Sequence, residues 1–173
     1  MWQTAKSRGR RALRVGPDFE KQWPGAESSA TEVIINLGRA GEKVGTLVAQ
    51  TVRPYGIPST TALIVLEVLA GADTALTPSE LADRSFVTRP TLSGVFDTLQ
   101  RRGLIERTAD THDKRSARLS ITPAGRDVLE RALTELHQAE TRWCRDLSAA
   151  QRTALVRALA LIPNEDGTAE EGP

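Results

Sequence analysis

"LTPSELADRSFVTRPTLSGVFDTLQRRGLIERTADTHDKRSARLSITPAG" occupies residues 76–125, and its punctuation decides the fold. Thr77, with Pro78 next and Glu80 three residues on, forms a capping box with a proline at the first helical position. A short helix starts there. Thr88 is a second candidate N-cap with Pro90 in the following turn, and Leu92, Val95, Phe96 and Leu99 make one apolar stripe behind it. Gly103 before Leu104 is a Schellman-type stop. "GLIERTA" and "ARLSITP" then alternate as strands, with Leu119 and Ile121 on one face. Between them lies a charged tip, "DTHDKRS", at 110–116. Thr122 and Pro123 begin the next helix.

Upstream, apolar residues from Val33 to Val52 recur at helical spacing and predict a long helix over 29–53. Gly38, Gly41 and Gly45 interrupt it, each at a cost of roughly 1 kcal/mol relative to alanine. They suggest close approach of another helix, or are tolerated weak spots. "RPYGIPS" ends this helix, and "STTALIVLEVLAG" reads as a buried helix stopped by Gly71. Downstream, a long helix over 123–146 carries an apolar face from Val128 to Trp143. Ser148 and Gln151 form a further capping box for a helix over 148–162.

The expected fold is mainly α with a small β-hairpin wing. It is a winged helix-turn-helix over 59–122 with a helical dimerisation lobe formed by 29–53 and 123–162. The lobe is too small to bury every apolar face, which predicts an intertwined homodimer.

Composition narrows the class. The 173 residues are 39% hydrophobic and 26% charged, as in soluble globular proteins. No run reaches the ~18 apolar residues of a membrane span, and no secretory leader is visible. The single cysteine fits a reducing cytoplasm. The net charge of +1 is unevenly spread. Residues 1–28 read as a basic, partly disordered extension, and 163–173 as an acidic disordered tail. Across 78–126, nine bases face six acids. No G-x-S-x-G, Walker loop or H-E-x-x-H motif is present, so no enzyme is expected. No cofactor is called for. His137 and Cys144 share a helix face with Glu140 nearby, a partial metal set at most, and Cys144 also reads as a packed small hydrophobe.

Residues 30–162 resemble the MarR family of bacterial transcriptional regulators. The likeness rests on a "T-x-x-T" recognition helix at Thr88 and Thr91, on Leu99 through Arg107, on the wing pattern "D-x-x-D-x-R" at Asp110, Asp113 and Arg115, and on the closing turn Ile121–Gly125. Thr111, Lys114, Gln100, Ser93 and Gly94 depart from the commoner family residues, and Gly94, with no side chain to read a base, implies a different sequence preference.

The resemblance implies double-stranded DNA as partner, read by Thr88, Arg89, Pro90, Thr91, Ser93 and Gly94 from a helix suited to the major groove. Arg89 takes either a guanine edge or a phosphate. In the wing, Arg115 is expected in the minor groove, Lys114 on phosphate, and Asp113 as support of the tip. The resemblance also implies a small aromatic or anionic effector. Its candidate contacts are Trp23, Arg53, Tyr55 and Ile57, whose alternative role is hinge packing. Other readings are an architectural DNA-binding protein without a specific operator and a metal-responsive regulator.

Overall fold

The structure, a computed structural model, describes residues 12–85, 87–109 and 117–162. The elements run α1 (Phe19–Gln22), α2 (Ser28–Val52), a 3-10 turn (Arg53–Tyr55), α3 (Thr60–Ala70), α4 (Pro78–Ser85), α5 (Arg89–Arg101), β1 (Ile105–Ala109), β2 (Ala117–Ile121), α6 (Pro123–Trp143) and α7 (Ala149–Leu159). The strands form an antiparallel hairpin with Ile105 opposite Ile121 and Ala109 opposite Ala117.

The caps set these boundaries. At α4, the Thr77 N–H donates to Glu80 Oε2 at 2.7 Å while the Glu80 N–H donates to Thr77 Oγ1 at 3.2 Å. Ser59 caps α3 through the Ala62 N–H, and Thr122 caps α6 through the Gly125 N–H. Ser148 and Gln151 form the full box on α7. At the end of α5, Gly103 adopts φ 67°. The Leu104 N–H returns to the Leu99 carbonyl and the Gly103 N–H to that of Gln100, which is the Schellman pairing.

The core lies between α3 and the elements around it. Leu63, Leu66 and Leu69 of α3 meet Leu81 of α4, Leu92, Phe96 and Leu99 of α5, Ile105 and Leu119 of the hairpin, and Leu129 and Leu136 of α6. Only Ile105 of β1 is buried, so the alternation read in "GLIERTA" does not become a second covered face. A third strand position escaped the sequence reading. Leu76, just before α4, exchanges both backbone hydrogen bonds with Leu119, at 2.9 and 2.7 Å.

Residues 12–27, expected to belong to a partly disordered extension, form a strap along the N-terminal half of α2. The Asn36 carboxamide accepts from the Leu13 N–H at 2.7 Å and donates to the Leu13 carbonyl at 2.9 Å. Glu32 takes the Val15 N–H and pairs with Arg14 at 2.6 Å. Glu20 accepts from the Ser28 N–H. The helix expected over 29–53 is α2 followed by the 3-10 turn. A Cβ built on Gly38, Gly41 or Gly45 meets nothing within 4 Å, so no close helix contact within the described chain requires a glycine there, although the Thr60 hydroxyl of α3 donates to the Gly45 carbonyl at 3.2 Å.

Candidate nucleic-acid interface

Helix α5 is fixed along one side and open along the other. Leu92, Phe96 and Leu99 are buried and Val95 is half-buried. Thr88, Arg89, Pro90, Thr91, Ser93 and Gly94 are all exposed on its first turns. Pro90, without an N–H, sits where the helix has no internal partner to offer. Thr88 stands at the N-cap, yet its hydroxyl makes no cap bond. It pairs instead with the Thr91 hydroxyl at 3.0 Å, joining the two threonines of the T-x-x-T pattern. A Cβ at Gly94 would meet nothing within 4 Å, so no packing demand explains this glycine.

Several arginines that sequence reading counted toward a basic face are engaged with the body of the protein. Arg118 donates to the Ala75 carbonyl at 2.9 Å and stands 3.9 Å from Glu80. Arg102 donates to the Gly56 carbonyl, tying the end of α5 to the turn after α2, and Arg126 donates to the Ala70 carbonyl. Arg101 donates to Thr98 Oγ1. Arg89 is the exposed base at the start of α5. The chemistry on offer there is two hydroxyls, a guanidinium and unpaired helical N–H groups, a set suited to phosphate oxygens and base edges.

The wing candidates Asp113, Lys114 and Arg115 lie outside the described residues, as does the stretch 110–116. Glu106 and Ser120, paired across the strands below it, hydrogen bond at 3.0 Å.

The proposed effector contacts are not brought together. Ile57 is fully buried in the core, Arg53 is exposed and Tyr55 is half-buried on the 3-10 turn. Trp23 belongs to the strap, against the other end of α2, where it lines a cavity with Val15, Phe19 and Ile35.

His137 is exposed, Cys144 is a half-buried free thiol, and the described residues hold no group of three or more potential metal ligands. The Glu67 carboxyl on α3 is raised above its ordinary value, first by burial and then by the charge of Glu140, with His137 opposing. Among the described residues no helix is long and apolar enough to cross a membrane.

A family model described as "MarR family" matches residues 55–116. A structure of the transcriptional repressor CouR bound to a 23-mer DNA duplex is 31% identical, covers 73% of this chain and 88% of its own, and superposes with a TM-score of 0.66. The chain belongs to the MarR family. It is also 29% identical to the HTH-type transcriptional repressor YetL of Bacillus subtilis over 62% of its length, and it spans 64% of that repressor. The homoprotocatechuate degradative operon repressor of Escherichia coli is 33% identical over 35% of the chain, which spans 40% of that protein. All three relatives are repressors by name.

Proposed function

We propose that the chain is a sequence-specific DNA-binding transcriptional regulator, a cytoplasmic repressor that acts as a homodimer on an inverted repeat. One observation carries this reading. The first turns of α5 present only polar, small or basic groups to solvent, while the opposite side of the helix is locked into the core. Such a helix enters a major groove without giving up any internal contact. The relative CouR, seen on duplex DNA, supports the same use of the fold.

The homodimer is supported by apolar surface the chain does not cover. Val33, Ile34 and Val44 of α2 are more than half exposed, and no residue of α7 is buried although it carries Leu155, Val156 and Leu159. Two-fold pairing through these faces sets the two α5 helices about 34 Å apart, one DNA turn. Selection of bound sequences from random DNA tests the reading. A palindrome with half-sites one turn apart is the expected product, and enrichment of no sequence means an architectural protein instead.

The repressor reading includes a small aromatic or anionic effector. The relative named for a homoprotocatechuate degradative operon supports an aromatic one. A hundredfold loss of DNA affinity requires about 2.7 kcal/mol of coupling between the two sites. Titration of phenolic acids against the protein–DNA complex measures it directly.

A further inference from the structure

We propose that the N-terminal strap and the first half of α2 form a binding site for an uncharged, planar aromatic molecule. The cavity between them has a volume of 540 Å³. That lies within the ~300–1,000 Å³ typical of small-molecule pockets. Phe19 and Trp23 contribute two aromatic walls, and Val15 and Ile35 contribute aliphatic ones. Rings of this kind favour an offset-stacked or edge-on aromatic partner. Among the described lining residues none is charged, and the polar side-chain groups are the Thr31 hydroxyl and the Trp23 indole N–H. A carboxylate or ammonium would lose its hydration there and gain no counter-charge from the described lining residues, which disfavours ionic ligands. A single hydroxyl or amide on the ligand has Thr31 to meet.

The cavity is framed by directed bonds rather than by loose contact. On one side the Asn36 carboxamide holds both backbone groups of Leu13, and Glu32 holds Val15 and Arg14. On the other, Glu20 holds the Ser28 N–H. These latches fix the strap at both ends and suspend the two rings over α2. The alternative occupant is a second copy of the chain. Thr31 and Ile35 line the cavity, whereas the exposed Val33 and Val44 fall on roughly the opposite side of the helix at 3.6 residues per turn, with Ile34 between. The apolar face left for a second copy is therefore mostly turned away from the cavity. Val15, Gly16, Phe19, Trp23 and Ala26 come from the N-terminal extension and Thr31 and Ile35 from α2, all of them before the 55–116 family match.

The test uses N-phenyl-1-naphthylamine, a neutral aromatic probe whose fluorescence rises in apolar surroundings, titrated into the full chain without DNA. Because no DNA is present, the outcome is separate from the regulator reading. Saturable binding of one probe per chain is expected. Ala26→Trp, which fills the cavity, and Trp23→Ser, which removes a wall at an exposed position, should each weaken binding about tenfold or more. Trp143→Phe, at the far end of α6, should leave it unchanged. Circular dichroism identifies a variant that has not folded, and Trp23→Ser then carries the test alone. Non-saturable uptake, or equal binding by Trp23→Ser and the parent, overturns the proposal. So does loss of the dimer in Trp23→Ser with probe binding intact, which assigns the face to a second copy.

Discussion

A methyl group at position 125 would drive into the Leu104 carbonyl oxygen and the Ile121 side chain. The last residue of the family's closing turn is thus fixed by the approach of α6 to the end of α5. Gly125→Ala should destabilise the fold by about 1–3 kcal/mol, visible as a lower urea midpoint at unchanged slope. Arg89 poses the opposite case, since it is exposed and its side chain makes no hydrogen bond or ion pair among the described residues. Arg89→Ala should weaken operator binding by roughly 1–3 kcal/mol per half-site with the melting temperature unaltered. If Arg89 reads a guanine, preference at one base position relaxes, and if it binds phosphate, all sequences weaken alike. For the wing, Arg115→Ala should weaken binding and flatten the salt dependence by about 0.9 per lost phosphate contact. Asp113→Ala should also weaken binding, although it removes an acid. Tighter binding by Asp113→Ala would make the tip a simple solvated turn.

Among the elements, the strap carries its own acid sensitivity. The Val15 backbone N–H, followed by Arg14, holds the Glu32 carboxyl below its ordinary 4.5, and the Ser28 backbone N–H does the same for Glu20. A depressed carboxyl contributes stability that is present above the ordinary value and lost as pH falls through the lowered one. The strap should therefore unlatch in acid. The Val15 amide resonance should follow Glu32 and that of Ser28 should follow Glu20, each with a midpoint below 4.5, and Glu32→Gln should abolish the Val15 transition. Thr77→Ala, which removes one arm of the α4 box, should cost about 1 kcal/mol. The helices, their caps and the hairpin were legible because each leaves a local mark, whether a capping pair, a glycine stop or a periodic stripe. The Leu76–Leu119 bridge was not, since one paired residue has no period. Nor was the strap, whose order depends on Glu32 and Asn36 meeting backbone groups about 20 residues away. The same is true of Arg102, Arg118 and Arg126, whose count as basic charge was readable while their carbonyl partners were not.

At the scale of the whole molecule, the prediction concerns association. A charge on the uncovered face of α7 should be tolerated by the isolated chain and forbidden by the pair. Leu159→Arg should sediment as a folded monomer at micromolar concentration and should bind a single half-site weakly. A parent protein that is itself monomeric at that concentration would remove the basis for the one-turn spacing. The open surface at Gly94 has a different kind of consequence. Glycine in a helix interior is roughly 1 kcal/mol worse than alanine, so Gly94→Ala should stabilise the chain by about 0.5–1 kcal/mol. A Cβ at that position meets nothing within 4 Å. Gly125 has no such latitude, because its neighbours are backbone. On the proposed DNA-reading role of α5, a duplicated copy of this chain can alter its operator preference by a small substitution at 94 without misfolding, whereas the frame that presents that position tolerates no such change at 125.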